Sequence, residues 1–170
     1  MKEQKRRKWE LIGLFFTIAA GNLLHFVYDW SGESPLAAPF AAVSESVWEH
    51  MKLLAVPWVL WTVVELWALR CCRLLAARTV GLLAGLALIP LVYYAYTGAL
   101  GVHSLLLDVI LFQLAVLLTF SVCCRLQRKR KLTGTAAQIV SGAVLLVLTV
   151  LFVWWSFAPP ALPIFGNPAA

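Results

Sequence analysis

All of the fourteen Lys and Arg residues except Lys52 fall into three clusters, and long apolar stretches separate the clusters. The clusters are Lys2, Lys5, Arg6, Arg7 and Lys8; then Arg70, Arg73 and Arg78; then Arg125, Arg128, Lys129, Arg130 and Lys131. With 62% apolar and 13% charged residues in 170, such a chain has too little polar surface to cover a soluble core. Its solvent is expected to be the bilayer.

A helix crosses the hydrocarbon core with about 20 apolar residues. Five stretches meet that length, near Trp9 to Tyr28, Leu53 to Leu69, Thr79 to Tyr96, His103 to Cys124 and Ala136 to Phe157. Unpaired peptide groups in lipid cost several kcal/mol, so each stretch must be a helix, and the short alternating strands of a barrel are not visible. The expected fold is therefore all-α, a polytopic bundle of five transmembrane helices forming one domain over 1–170. An outer loop with a short helix is expected at 29–52 and a Pro-rich outer tail at 158–170. Five spans put the termini on opposite sides. With the first basic cluster cytoplasmic, both other clusters also fall in cytoplasmic loops, as the positive-inside rule requires, and the C-terminus is extracytoplasmic. The first apolar run is too long for a signal peptide and reads as a retained helix.

This topology accounts for the net charge of +6 without nucleic acid, and it points to anionic lipid headgroups as partners of the basic loops. Trp9 and Trp67 fit an inner aromatic belt; Trp30, Trp48, Trp154 and Trp155 fit an outer one. Trp58 and Trp61 lie deeper, where core or lipid packing competes with a pocket lining. The pairs Cys71–Cys72 and Cys123–Cys124 fall at cytoplasmic helix mouths as reduced small residues, or as lipidation sites in a eukaryotic chain. Gly81 and Gly85 form a G-x-x-x-G packing pattern. Pro90 is placed to kink the third span before Tyr93, Tyr94 and Tyr96, which join the outer belt or line a cavity. The shared H-x-x-L-L-x-V at His50 and His103, with C-C-R-L ending both spans, hints at two parallel repeats.

The chemistry gathers at the other end. His25, Asp29, Glu33, Glu45, Glu49, His50, His103 and Asp108 all map to the outer half, and an ionisable group within a bilayer usually faces a protein interior or a cavity. Asn22, His25 and Asp29 share one helical face, so Asp29 is placed to orient the His25 imidazole, or simply to be solvated. In the segment from Ser44 to Lys52, Ser44 is the expected N-cap. There Glu45, Glu49, His50 and Lys52 converge over two turns, as a plain Glu49–Lys52 charge pair, as cation ligands or as a proton relay. Asp108 lies more than a turn inside its span and must be protonated, paired or facing water. Glu65 lies nearer the basic end and is expected to reach toward Arg70.

The run His25-x-x-Tyr28 with Val43-Ser44-Glu45-Ser46-Val47-Trp48-Glu49-His50-Met51-Lys52 resembles an uncharacterised family of small bacterial integral membrane proteins. That family carries V-N-E-S-x-W-E-H-x-K after the first helix, with Ser44 here standing where Asn is usual. The resemblance implies a bacterial cytoplasmic membrane protein and no particular activity. G-x-S-x-G, P-loop, H-E-x-x-H and nucleotide fingerprints are absent from the sequence.

Three functions compete. The first is binding or transport of a proton, a divalent metal or a small solute through a polar outer cavity of His25, Glu45, Glu49, His50, His103 and Asp108. The second is an intramembrane hydrolase of a lipid-like substrate, using a metal such as zinc on His25, His50 and His103. The third is an assembly subunit of a membrane complex. Five short spans make a small transporter, so a homo-oligomer is expected in the first case.

Overall fold

The computed structural model describes residues 3–102 and 104–166. Five helices make the molecule: α1 (Glu3–Trp30), α2 (Val47–Leu69), α3 (Leu75–Leu100), α4 (Leu105–Arg128) and α5 (Thr135–Phe157). Short 3-10 turns occupy Cys72–Leu74 and Pro163–Phe165, and no strand occurs among the described residues. All five helices are long and apolar enough to cross a membrane. Even the 23-residue helices reach about 34 Å at 1.5 Å per residue, enough for the hydrocarbon core.

Half of the apolar window of α2 and of α3 is buried inside the protein, against 17% for α1 and α5. The middle pair therefore forms the core, while α1 and α5 turn most of their surface outward. α3 packs chiefly on α4 and also against α2 and α5; α1 lies mainly along α2. In lipid, helix association depends on close van der Waals contact more than on burial from water, and the glycines show where. A Cβ added to Gly81 would lie 2.7 Å from the Thr119 carbonyl oxygen and 3.1 Å from the Cys123 Cβ, so the expected packing pattern is the seam between α3 and α4. Pro57, inside α2, lacks an amide proton and leaves the Leu53 carbonyl, four residues earlier, without its helical donor. α1 brings Gly21 to that carbonyl, where an added Cβ would sit 2.8 Å from the oxygen.

Trp58, in the core with Leu54, Leu82 and Val116, is fully buried and stands edge-on to Phe120 with ring centroids 4.6 Å apart. Trp61 is also buried, against Trp9 and Phe16 of α1. Both tryptophans pack the core. The tail folds back beyond α5. Phe165 meets Trp48 and Trp155, with centroids 5.0 and 5.3 Å apart, and Trp48 also stacks near Phe152 at 4.5 Å.

Two buried charge clusters close the bundle, one near each end. At the basic end, Arg78 lies inside α3 and is fully buried, not in the loop with Arg70 and Arg73. Its guanidinium bonds Glu65 through Nη1, with Glu10 Oε2 at 3.4 Å; Nε donates to the Thr62 hydroxyl at 2.7 Å. It also lies 4.1 Å over the Trp58 ring, where a desolvated cation gains from the ring's negative face. The expected Glu65–Arg70 contact is thus replaced by Glu65–Arg78, because α3 turns Arg78 inward one helix later. Glu10 Oε1 in turn accepts from Gln127 Nε2 at 2.8 Å, tying α1 to α4. Cys123, buried and free, lies beside this bond and accepts from Gln127 Nε2 at 3.1 Å. Cys71 and Cys124 are free and half-buried; the side chain of Cys72 lies outside the described residues.

Near the opposite end, Lys52 and Glu49 are buried, with side chains 0% and 3% exposed, and pair at 2.5 Å. An ammonium carries three protons, and Lys52 spends them on Glu49, the Ala38 carbonyl at 2.7 Å and the Ser156 hydroxyl at 2.7 Å. Glu49 Oε2 also accepts the Val43 amide at 2.9 Å. One ion pair therefore joins α2, α5 and the loop 31–46.

Removing one partner of a buried pair costs about 3–5 kcal/mol, whereas removing both is often close to neutral. Lys52→Met alone is expected to lower the melting temperature in detergent sharply, and Glu49→Gln/Lys52→Met to recover most of the loss. A double variant no more stable than the single would refute the pairing. Gly81→Ala, which forces a methyl against backbone, is expected to destabilise by about 1–3 kcal/mol, read by the same melts; an unchanged melt would show that α3 and α4 do not approach this closely.

Candidate metal centre

The site begins with how α2 starts. Ser46, not the expected Ser44, is the N-cap, in extended backbone at φ −71° and ψ 152°, and its hydroxyl accepts the Glu49 amide at 3.3 Å. Ser46-Val47-Trp48-Glu49 is the S-x-x-E capping pattern, but the Glu49 carboxylate reaches past the cap to Val43 and Lys52. Ser44 steadies the cap instead, its hydroxyl 3.1 Å from that of Ser46. Lys52 and Glu49 hold the loop from the α2 side, and the Ala42 amide, 3.4 Å from the Leu24 carbonyl, leans it against α1. Glu45, between these ties, is carried to the gap between α1 and α2.

Three of the expected site residues meet there. His25 Nε2 stands 3.8 Å from Glu45 Oε1, and His50 Nε2 stands 3.6 Å from Glu45 Oε2. The two imidazoles have centroids 5.4 Å apart. One ligand atom from each of His25, Glu45 and His50 lies within 4.8 Å of the other two. These gaps are too long for direct hydrogen bonds. Ligand atoms about 2.0–2.2 Å from a tetrahedral metal stand about 3.3–3.6 Å apart; the two histidines face different carboxylate oxygens of Glu45, and side-chain shifts of about an ångström would bring one donor from each residue to that spacing.

Ring orientation follows from the neighbours. The Ser46 carbonyl, 2.9 Å from His50 Nδ1, can only accept, so Nδ1 carries the proton and Nε2 presents its lone pair to the site in the neutral ring. Histidine ligands are commonly held in this way by a second contact. His25 stacks edge-on to Phe26 at 5.0 Å, with Nδ1 buried and Nε2 toward Glu45. The histidine side chains are 23% and 27% exposed, against 63% for Glu45, so the site is open to solvent through the carboxylate.

A cavity of about 70 Å³ adjoins two of the three, lined by Glu45 and His50 together with Tyr93, Asp108, Ile89 and Phe112. That is room for a few waters or a small ion with its remaining hydration. Asp108 accepts a hydrogen bond from the Tyr96 hydroxyl, which answers how this intrahelical carboxyl is satisfied. Tyr93 lines the cavity, and its ring meets those of Tyr94 and Tyr96 edge-on. Asn22 and Gln113 bridge α1 and α4 at 3.3 Å.

The remaining expectations separate. Glu49 belongs to the Lys52 pair and does not share the trio. His103 lies outside the described residues, as do 167–170 of the tail. Asp29 is exposed at the end of α1, and the carboxylate that faces His25 comes from Glu45 in the loop. Tyr96, expected in the outer belt or along a cavity, is the partner of Asp108; the signal for that pairing is an acid and a tyrosine flanking the same short connection.

No curated protein and no solved structure matches the chain. A family model matches residues 1–170, the full length of the sequence given. The chain belongs to the family of unknown function DUF6512.

Proposed function

We propose that this protein is a multi-pass protein of a bacterial cell membrane that captures a divalent transition-metal ion at its histidine end, with zinc the best fit. The observation that carries the reading is the convergence of His25, Glu45 and His50, from α1, the loop and α2, with ligand atoms within 4.8 Å. Two imidazoles and one carboxylate suit zinc in charge and softness. The adjoining cavity, with Asp108 and Tyr93 in its lining, supplies water or a further oxygen ligand. Five apolar helices support the membrane location, and the positive-inside rule puts the histidine end outside the cytoplasm. Along α2, His50 is followed inward by the fully buried Leu54 and Trp58 before Glu65 is reached. This apolar stretch favours capture at one face; passage of the ion through the bundle would need a second conformation.

A hydrolase of a lipid-like substrate is the second reading. It is favoured by the ligand count, since three protein ligands are what a catalytic zinc site uses, with a position left for water. Chelator-sensitive cleavage of a short-chain phospholipid ester, restored by zinc, would move the assignment there.

The direct test is zinc content by elemental mass spectrometry after equilibration and desalting. Wild-type protein is expected to hold zinc stoichiometrically. His50→Ala and Glu45→Gln should bind at least about 10- to 100-fold more weakly, since even outer-sphere partners are worth that much. Asp29→Asn serves as a control that retains the metal. Absence of zinc from the wild type, or equal binding by His25→Ala/His50→Ala, overturns the proposal.

A further inference from the structure

A second cavity lies at the opposite end of the bundle, independent of the histidine site. It measures about 280 Å³ and opens between α1 and α4. Arg6, Arg7 and Arg128 stand on its rim, and Leu14, Leu117 and Phe120 are among its walls. Glu10 also borders it, but its two carboxylate oxygens are committed inward, Oε2 toward Arg78 and Oε1 to Gln127. Three guanidinium groups border the opening beside it. Helices α1 and α4 touch over a shorter stretch than either does with its main neighbour, and the Glu10–Gln127 bond ties them at this depth, leaving the groove open beside it.

We infer that this groove binds an anionic phospholipid, with the phosphate held among Arg6, Arg7 and Arg128 and the upper part of an acyl chain lying along Leu14, Leu117 and Phe120. Guanidinium forks match phosphate oxygens in pairs. Basic pockets between membrane helices hold lipid headgroups on the side where positive residues collect. The volume lies near the lower end of the roughly 300–1,000 Å³ typical of ligand pockets, which fits a headgroup with the first part of one chain and leaves the rest in the bilayer. A soluble anion would meet the same arginines, but the apolar walls would stay unused. The walls choose the lipid.

The test is native mass spectrometry of the full-length protein in mild detergent, titrated with phosphatidylglycerol, with phosphatidylcholine and with inorganic phosphate. Phosphatidylglycerol is expected to remain bound at concentrations where the other two do not. Arg7→Ala/Arg128→Ala should weaken it about 30-fold, the size expected for two arginines at a lipid surface, while Arg130→Ala/Lys131→Ala, outside the groove, should bind as the wild type does. Arg7 and Arg128 are exposed, and Arg7→Ala alone, with a smaller loss in the same direction, guards against a folding defect in the double variant. Equal retention of phosphatidylcholine, competition by inorganic phosphate at similar concentration, or an equal loss in the Arg130/Lys131 control overturns the assignment.

Discussion

The structure near the histidine end depends on how one ammonium group is satisfied. Lys52 is the only basic residue outside the clusters, and it is fully buried. A lone cation in such a place would cost several kcal/mol, so each of its protons must find an acceptor. The acceptors come from three parts of the chain: Glu49 one turn back, Ala38 in the loop and Ser156 on α5. Satisfying this one charge therefore fixes the loop against α2 and α5. Glu45 rides on that loop, and its position beside His25 and His50 is a consequence.

The basic end solves a similar problem differently. Arg78 is held by Glu65, Glu10 and Thr62, and by the Trp58 ring, so α1, α2 and α3 share one buried guanidinium. Gln127 extends the network to α4 through Glu10. The apolar side chains of α2 between His50 and Thr62 keep the two polar clusters apart. A metal captured at one end and a lipid held at the other would thus both bear on α1 without sharing a cavity.

Some of this was legible in residue order. Spacing of the basic clusters and length of the apolar runs gave five helices, and the gathering of acids and histidines at one end marked where chemistry would be found. Asp108 stood out because a carboxyl deep in an apolar run needs a partner. The roles of Glu45 and Glu49 were harder to tell apart. They are one turn apart in sequence and chemically alike, yet Glu49 belongs to Lys52 and Glu45 to the histidines. The difference arises because α2 begins after Glu45, at the Ser46 cap, so a shared helical face never forms. Arg78 was read with the loop cations because its nearest charged neighbours in sequence, Arg70 and Arg73, lie there; its true partners are 13 and 68 positions away.

The sequence by itself determined the class of the molecule, since peptide groups in lipid allow only helices over runs this apolar, and the count and length of those runs follow directly. It also determined which end carries His25, Glu45 and His50. Only the tertiary structure decided whether they meet. Helix rotation and loop path set whether a side chain faces its neighbour or the outside of the bundle, and both are governed here by long-range pairs: Lys52 to Ser156, Glu10 to Arg78 and Gln113 to Asn22. Each partner is encoded far from the other, and local periodicity carries no information about their contact.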